Sequence, residues 1–214
     1  MKRPADEIIK DLESLSEQRY PWLVILLDSY AVCDEGTAKD LAREKNKQGC
    51  SVACHKGCSA CCLNPVVPIS ELELRGISWY VSEQLDQNTQ DQLIPRLENH
   101  KDTSECPFLL NHICSIYPMR PIACRIFHMF RKACTPYEKV IRTRPQDVFT
   151  QNRDTARRVA LRFLDADVYG LKTELEKEEA FDQGIMMKMS TQMHEVDWTR
   201  FVWAINLIRK AKRK

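Results

Sequence analysis

The chain has few glycines, and it lacks the glycine-rich motifs of the common nucleotide-binding folds. Its 214 residues include six glycines, which are scattered along the sequence. Neither GxGxxG nor GxxxxGK followed by Ser or Thr occurs, so the sequence offers no loop of the kind that wraps backbone amides around phosphate groups. HExxH is also missing, because the five histidines are dispersed. These absences exclude the usual dinucleotide-binding, P-loop and HExxH metalloprotease classes.

Long apolar runs and a strong charge of one sign are missing too. The longest apolar run extends from Leu23 to Leu27, whereas a membrane-spanning helix needs about 20 apolar residues. The first residues, MKRPADE, lack the apolar core of a signal peptide, so we expect a cytoplasmic protein without membrane contact. The 32 basic and 30 acidic side chains leave a formal net charge of +2. This balance argues against an acidic disordered chain and against a generally polybasic nucleic-acid-binding protein.

Cysteine, in contrast, is abundant and unevenly placed. Of the ten cysteines, Cys33 lies in residues 1–49 and the other nine lie in residues 50–134. Disulfides seldom persist in a reducing compartment, so this count predicts metal or redox chemistry. We therefore predict a single domain with three regions: an N-terminal helical segment at 1–49, a cysteine-cluster metal-binding region at 50–145, and C-terminal helices with a basic tail at 146–214.

Apolar residues at helical spacing predict a mainly α fold on both sides of the cysteines. Residues 106–145 hold five of the ten prolines, which forbid a long regular helix and predict turns with short extended pieces. So long an irregular stretch needs something to order it, and a cysteine-ligated metal centre clasped by the helices would do so. The predicted helices run through Ile8, Leu12 and Leu15, from Pro21 to about Lys47, from the capping box Ser70–Glu73, from Thr89 to about Asn99, from a cap at Asn152, after Gly170, and from about Asp197.

The first cysteine cluster spans thirteen residues and has the spacing of a soft-metal site. Intervals of two or three residues let a turning backbone aim several thiolates at one point, as tetrahedral zinc or an iron–sulphur cube requires. Gly57 stands where a sharp bend would help. Because Cys61 and Cys62 are adjacent in the chain, we expect them to serve different roles or different metals. The cluster comprises Cys50, Cys54, Cys58, Cys61 and Cys62.

The second cluster has wider spacing, with intervals of eight to ten residues between Cys106, Cys114, Cys124 and Cys134. These intervals are too long for one local knuckle. They indicate anchors on a folded-back loop that closes the site begun by the first cluster.

The combined motif resembles the YkgJ-type cysteine-cluster family, which is described as a zinc- or iron-chelating domain. The similarity rests on CxxxCxxCC from Cys54, then CPFL from Cys106, then CSIYPMRPIACRIF from Cys114. It covers roughly residues 54–134. The family pattern is CxxCxxCC, whereas this chain has three residues between Cys54 and Cys58, which leaves the role of Cys50 open.

Residue by residue, the resemblance implies a set of thiolate ligands and two arginines beside them. Arg120 and Arg125 match the RP and CR positions of the motif, where guanidinium groups can donate hydrogen bonds to a negatively charged centre. The centre is an iron–sulphur cluster, 4Fe-4S in type, or zinc, and ligands drawn from distant segments favour iron. The implied metal ligands are Cys54, Cys58, Cys61, Cys62, Cys106, Cys114, Cys124 and, less directly, Cys134.

Two functions follow from this pattern. The first is a metal-binding protein with a structural, redox or metal-handling role. The alternative is an enzyme similar to the larger lysine N-methylase relatives, with methyl transfer from S-adenosylmethionine near the metal site; the sequence offers no catalytic residues. The CxxxCxxC spacing also occurs in radical S-adenosylmethionine enzymes, but six glycines and little strand signal disfavour that fold.

The remaining features have ordinary explanations. Cys33 is expected to be a buried helical thiol, His55 and His128 to be neighbours of the metal site, and the methionines around Met193 to fill the core. From Asp197 onward, six Lys or Arg side chains face one Asp. Cations are favoured at a helix C-terminus, and contact with an acidic protein or a nucleic acid is the alternative.

Overall fold

The computed structural model describes residues 20–63 and 65–212. The helix predicted through Ile8, Leu12 and Leu15 lies outside these residues. Nine α-helices and two short two-stranded sheets occur within the described part, so the predicted mainly α fold is confirmed. No helix of the described part is long and apolar enough to span a bilayer.

The helices lie mostly before and after the cysteine-rich centre. Four strands of two residues each form two antiparallel pairs, β1 with β4 and β2 with β3. The helices are α1 (Pro21–Gln48), α2 (Glu71–Glu83), α3 (Gln87–Glu98), α4 (Ile122–Ile126), α5 (Val140–Thr143), α6 (Arg153–Phe163), α7 (Glu174–Asp182), α8 (Ile185–Lys188) and α9 (Trp198–Lys212). The strands are β1 (Pro68–Ile69), β2 (Leu109–Leu110), β3 (Ile113–Cys114) and β4 (Thr191–Gln192).

The long helix α1 begins and ends as its sequence predicts. Pro21 occupies the first turn, where its missing N–H costs nothing, and Gly49 ends the helix in the left-handed conformation at φ 62°. Helix α1 packs against α6 and α4. A Cβ atom at Gly36 would stand 2.3 Å from the Thr155 side chain, so the close approach of α1 and α6 requires glycine at this position.

The main hydrophobic core lies between α1, α2, α3 and α9. Helix α2 starts at the predicted capping box, in which Ser70 and Glu73 bond reciprocally. Helix α9 packs across α2 and α3 and buries Trp198 completely, with Phe108 at a ring-centroid distance of 4.9 Å. Phe108 comes from the cysteine-rich centre, so this core also anchors that region.

The proline-rich stretch 106–145 has no long helix, as predicted, but beside its turns and short extended pieces it contains two short α-helices that were not predicted. Strands β2 and β3 form a hairpin whose two central residues, Asn111 and His112, both have positive φ, the signature of a tight type I′ turn. The helices in this stretch, α4 and α5, have five and four residues. Such short elements depend on tertiary contacts for their stability.

Candidate metal centre

The two cysteine clusters meet at a backbone hydrogen bond. The Cys106 amide donates to the Cys62 carbonyl at 2.7 Å. Beside this bond, the hydroxyl of Ser104, two residues before Cys106, donates to the carbonyl of Leu63, one residue after Cys62, at 3.1 Å. The end of the first cluster therefore lies directly beside the start of the second.

The β2–β3 hairpin brings Cys114 back toward Cys106. The Leu109 amide donates to the Cys106 carbonyl at 3.0 Å, and Cys114 is the register partner of Leu109. Cys106 is buried, and Cys114 packs against the main core. The Cys106 thiol donates to the Met193 sulphur at 3.7 Å, so a thioether from the C-terminal region covers this thiol.

Cys124 lies in α4, which is held in place by a residue of α2. One oxygen of the buried Glu73 carboxylate accepts from the Ile122 amide at 2.8 Å, at the start of α4. The Arg125 side chain donates to the Pro118 and Arg120 carbonyls and pairs with Asp34. These bonds fix the loop that precedes Cys124.

Arg125 is itself a buried cation with a full set of partners. Its guanidinium lies 3.8 Å from the centroid of the Tyr30 ring, and the residue is 5% exposed. Since its bonds go to Asp34 and to backbone carbonyls, its direct action is on the shape of the loop.

Cys54 is held by a second set of contacts, on a different strand of the loop. Val52 bridges Phe130 in antiparallel fashion, and the Ala53 amide donates to the Met129 carbonyl at 2.7 Å. The Met129 amide donates to the Cys54 sulphur at 3.3 Å. Residues 51–54 are therefore joined to residues 129–131, and Arg131 precedes Cys134 by three positions.

Cys58 follows a tight turn that depends on Gly57. The Cys58 amide donates to the His55 carbonyl at 3.0 Å, and Gly57 has φ 83°. This left-handed backbone favours glycine. The bend predicted at Gly57 is therefore present, and it turns the chain from Cys54 toward Cys61.

The segment that carries Cys134 is held by ion pairs. Arg144 donates to the Lys132 and Ala133 carbonyls and pairs with Glu138 and Asp147. Hydrogen bonds from Arg144 lower the pKa of Glu138 to about 2. A charged network thus supports this part of the loop.

Cys61 is the electrostatic neighbour of cysteines on both sides. Burial raises the pKa of Cys106 and also that of Cys124, in the second case to about 12, and negative charge on Cys114 and Cys61 raises both further. Burial likewise raises the pKa of Cys134 to about 11, with further contributions from Cys54, Cys61 and Cys58. These electrostatic effects link Cys61 with thiols of both clusters, and we call this set the cysteine neighbourhood.

The vicinal pair itself is in mutual contact. A hydrogen bond to Cys62 raises the pKa of Cys61 far above its ordinary value, and burial of the sulphur acts in the same direction. Cys61 is an exposed residue, whereas Cys62 packs against the main core.

The donor chemistry of this neighbourhood fits zinc or an iron–sulphur cluster, both of which prefer thiolates. Within residues 20–63 and 65–212, no three His, Cys, Asp or Glu side chains stand in a ready-made ligand arrangement. Binding therefore requires rotation of the cysteine side chains and loss of their protons, which the raised pKa values oppose until the metal is present.

Arg120 is placed to act on such a centre. Its guanidinium stacks on the Tyr117 ring at 4.3 Å, and its buried Nε has no hydrogen-bond partner among the described residues. Burial raises the pKa of the Cys114 thiol, while positive charge on Arg120 lowers it. A donor without a partner, close to several thiols, fits the role that the sequence assigned to Arg120.

The other candidate residues lie at the margins. Cys33 is fully buried in α1 beside Thr37, as predicted, and the Cys50 thiol donates to the Gln48 side chain at 3.5 Å. His55 is exposed in the turn before Cys58. His128 is half-buried, and its Nδ1 has no partner in the described part of the chain.

Sequence reasoning missed the groups that support the cysteines from a distance. Met193, Glu73 and Asp34 contact the site across long stretches of chain. The capping box identified Glu73 as a helix-start residue, but no local pattern announces that its second oxygen holds Ile122.

Comparison with known proteins identifies one family. Residues 53–155 match the model of the CxxCxxCC family, which is described as a "putative zinc- or iron-chelating domain". No curated protein and no solved structure matches the chain. The family match supports metal binding through the cysteines.

Proposed function

We propose that the chain holds an iron–sulphur cluster or zinc with thiolates from both cysteine clusters, and we start from the match of residues 53–155 to the CxxCxxCC family of zinc- or iron-chelating domains. The observation that carries the proposal is the junction of the clusters, where the Cys106 amide donates to the Cys62 carbonyl and the Ser104 hydroxyl donates to the Leu63 carbonyl. The proposed ligands are Cys54, Cys58, Cys61, Cys62, Cys106, Cys114, Cys124 and Cys134.

The bound group supplies a set of strong crosslinks between segments that have little regular structure of their own. Residues 106–145 contain two short helices and a four-residue hairpin ladder, and such pieces do not order a chain by themselves. A metal that joins residues 54–62 to residues 106–134 would supply folding free energy to this region. A structural role is therefore the least that the centre performs.

Iron is the metal that we favour, in a 4Fe-4S cluster of a cytoplasmic protein. The ligands come from separate segments at mixed intervals, and Arg120 offers a cation and an unused N–H donor to a centre that carries net negative charge. Hydrogen bonds to cluster sulphurs tune reduction potential, which extends the proposal to redox or metal-handling roles.

Elemental analysis with Mössbauer spectroscopy on anaerobically purified protein tests this proposal. Iron and sulphide with the spectrum of a 4Fe-4S cluster would support the iron form. Colourless protein with stoichiometric zinc would reject iron and keep metal binding. Protein that carries neither metal and takes up neither on anaerobic reconstitution would overturn the proposal altogether.

The described residues add no observation in favour of methyl transfer. Calorimetry with S-adenosylmethionine remains a direct test of it. The side chains at the end of α9, where an acidic partner or nucleic acid was the alternative, lie outside the described part of the structure.

A further inference from the structure

Backbone contacts divide the cysteines into two groups on either side of Cys61 and Cys62. We call Cys106, Cys114 and Cys124 the inner triad, and Cys54, Cys58 and Cys134 the outer triad. The two groups are held by different parts of the molecule, and this division bears on how many metals the chain binds.

The inner triad is built on the main hydrophobic core. Cys106 is 8% exposed, and the hairpin that returns to Cys114 follows Phe108, which is fully buried. The Glu73 carboxylate fixes the start of the helix that carries Cys124. Each member of this triad is therefore positioned by α2 or by residues packed against it.

The outer triad is held beside buried apolar residues outside the main core, of which Phe130 and Phe149 have their ring centroids 6.3 Å apart. Met129, Phe130, Val140 and Phe149 are buried, yet they do not belong to the main core. Residues 51–54 pair with residues 129–131, and the Arg144 network holds the backbone just before Cys134. Cys58 is delivered by the Gly57 turn from the same edge.

The vicinal pair connects the two groups, since it follows Cys58 of the outer triad in the chain and Cys62 lies beside Cys106 of the inner triad. Cys61 is exposed, whereas Cys62 packs against the main core and its carbonyl accepts from the Cys106 amide. A tetrahedral zinc site or a cube takes four thiolates. Three thiols on each side with two between them make two such sets, whereas a single centre would leave the thiols of one triad unused.

We propose that the chain binds two metal centres side by side, one at the inner triad and one at the outer triad. One cysteine of the pair Cys61 and Cys62 supplies the fourth thiolate of one centre, and the other cysteine supplies that of the second centre. This inference rests on the proposed function. It adds the number of centres and the division of ligands between them. Each centre thereby crosslinks its own part of the chain, and the vicinal pair couples the two.

Native mass spectrometry of metal-free protein titrated anaerobically with Zn²⁺ tests the division. The variants are Cys114→Ser in the inner triad, Cys134→Ser in the outer triad, and Cys50→Ser as the matched control. We expect the unchanged chain and the Cys50→Ser variant to bind two zinc ions, and each triad variant to keep one, since a complete tetrathiolate set then remains on one side. Far-UV circular dichroism of each variant confirms that the helices are formed.

Co²⁺ loading provides a second measurement if the inner variant does not fold. The sulphur-to-cobalt charge-transfer absorption of Cys134→Ser should then fall to about half that of the unchanged protein, because half of the tetrathiolate sites remain. One zinc ion in the unchanged chain, or loss of all metal in Cys134→Ser with the helices intact, would overturn the division while metal binding stands. No metal in the unchanged chain would instead refute the proposed function.

Discussion

The inner and outer triads have the same ligand chemistry, but different parts of the protein support them. The inner triad rests on a large core, with Trp198 and Phe108 fully buried and Glu73 and Arg125 enclosed beneath the loop. The outer triad rests on four apolar residues and on ion pairs among Arg131, Arg144, Glu138 and Asp147. Free thiols pack as small apolar groups in the first setting, so the inner region keeps much of its support without metal, and the outer region keeps less.

Metal removal should expose this difference with the largest effect. A ligand present at 1,000 times its Kd stabilises a fold by about 4 kcal/mol, so chelation should lower the Tm by roughly 8–16 °C for a chain of this size. Differential scanning calorimetry before and after verified removal measures the shift. An unchanged melting curve would contradict the structural role of the metal.

The residues that lose protection from hydrogen exchange after metal removal provide a finer comparison of the two triads. Amide hydrogen exchange after chelation should rise more in residues 129–149 than in α2 and α3, with the β2–β3 hairpin between them. Uniform loss of protection would show that both triads depend equally on metal.

Substitution of Arg125 should have the next largest effect. Arg125→Ala leaves the Pro118 and Arg120 carbonyls without their donor and removes the cation from the Tyr30 ring, at a cost of about 3 kcal/mol. The expected fall in Tm is roughly 6–12 °C, with lower metal occupancy of the inner triad.

Arg131→Ala is the matched variant on the outer side. Arg131 is exposed, and its ion pair with Asp147 is open to solvent on one side. Exposed pairs contribute little to stability, so the Tm should change less than in Arg125→Ala. Equal changes in Tm for the two variants would show that the supports of the inner and outer triads do not differ.

Acid should loosen the outer region first in the metal-free protein. The pKa of Glu138 is lowered to about 2 by Arg144, from an ordinary value of 4.5, and hydrogen bonds from Arg131 lower that of Asp147. A lowered carboxyl pKa contributes stability above the unfolded value, and this contribution is lost as pH falls from about 4.5 through about 2.

Two-dimensional NMR of the metal-free protein at decreasing pH follows this change residue by residue. Signals of residues 132–147 should shift before those of α2. Glu138→Gln should show the shifted signals already at neutral pH, and a Glu138→Gln spectrum identical to that of the unchanged protein would show that the network is dispensable.

Cys50→Ser should have the smallest effect. Within the described part of the chain, the hydrogen bond of the Cys50 thiol goes to the Gln48 side chain, and surface substitutions of this kind stay within about 0.5 kcal/mol. Metal content and Tm should match those of the unchanged protein. A loss of metal would assign Cys50 to the first-ligand position that the family gives to the start of its motif.

Local signals were sufficient for α1 and α2, but they did not predict the short helices α4 and α5 or the contacts between distant parts of the chain. Pro21, Gly49 and the Ser70–Glu73 box act within a turn of the chain, so the bounds of α1 and α2 follow from the sequence. The pairing of β1 with β4 joins residues 68–69 to residues 191–192, and nothing in either dipeptide announces the other. The same holds for the contact of Met193 with Cys106, since methionine at that position also suits ordinary core filling, as was expected of it.

The cysteine spacing predicted that the two clusters would converge, but not how they would be divided. The division depends on which loop strand lies beside residues 51–54, and that is set by buried residues such as Phe130 and by the Arg144 network. Such contacts are decided by tertiary packing, which local patterns do not encode.

The bond between the Cys106 amide and the Cys62 carbonyl also dictates an order of events. The chain between these residues contains both α2 and α3, which are fastened together by the Gln90 amide at the Val81 and Leu85 carbonyls. Bringing Cys62 and Cys106 together is entropically costly while the chain between them is a flexible loop. The cost is smaller once α2 and α3 have folded, because the helical pair is then a rigid unit between these two residues. We therefore expect the helical pair to form before metal is captured, because it brings Cys62 and Cys106 together.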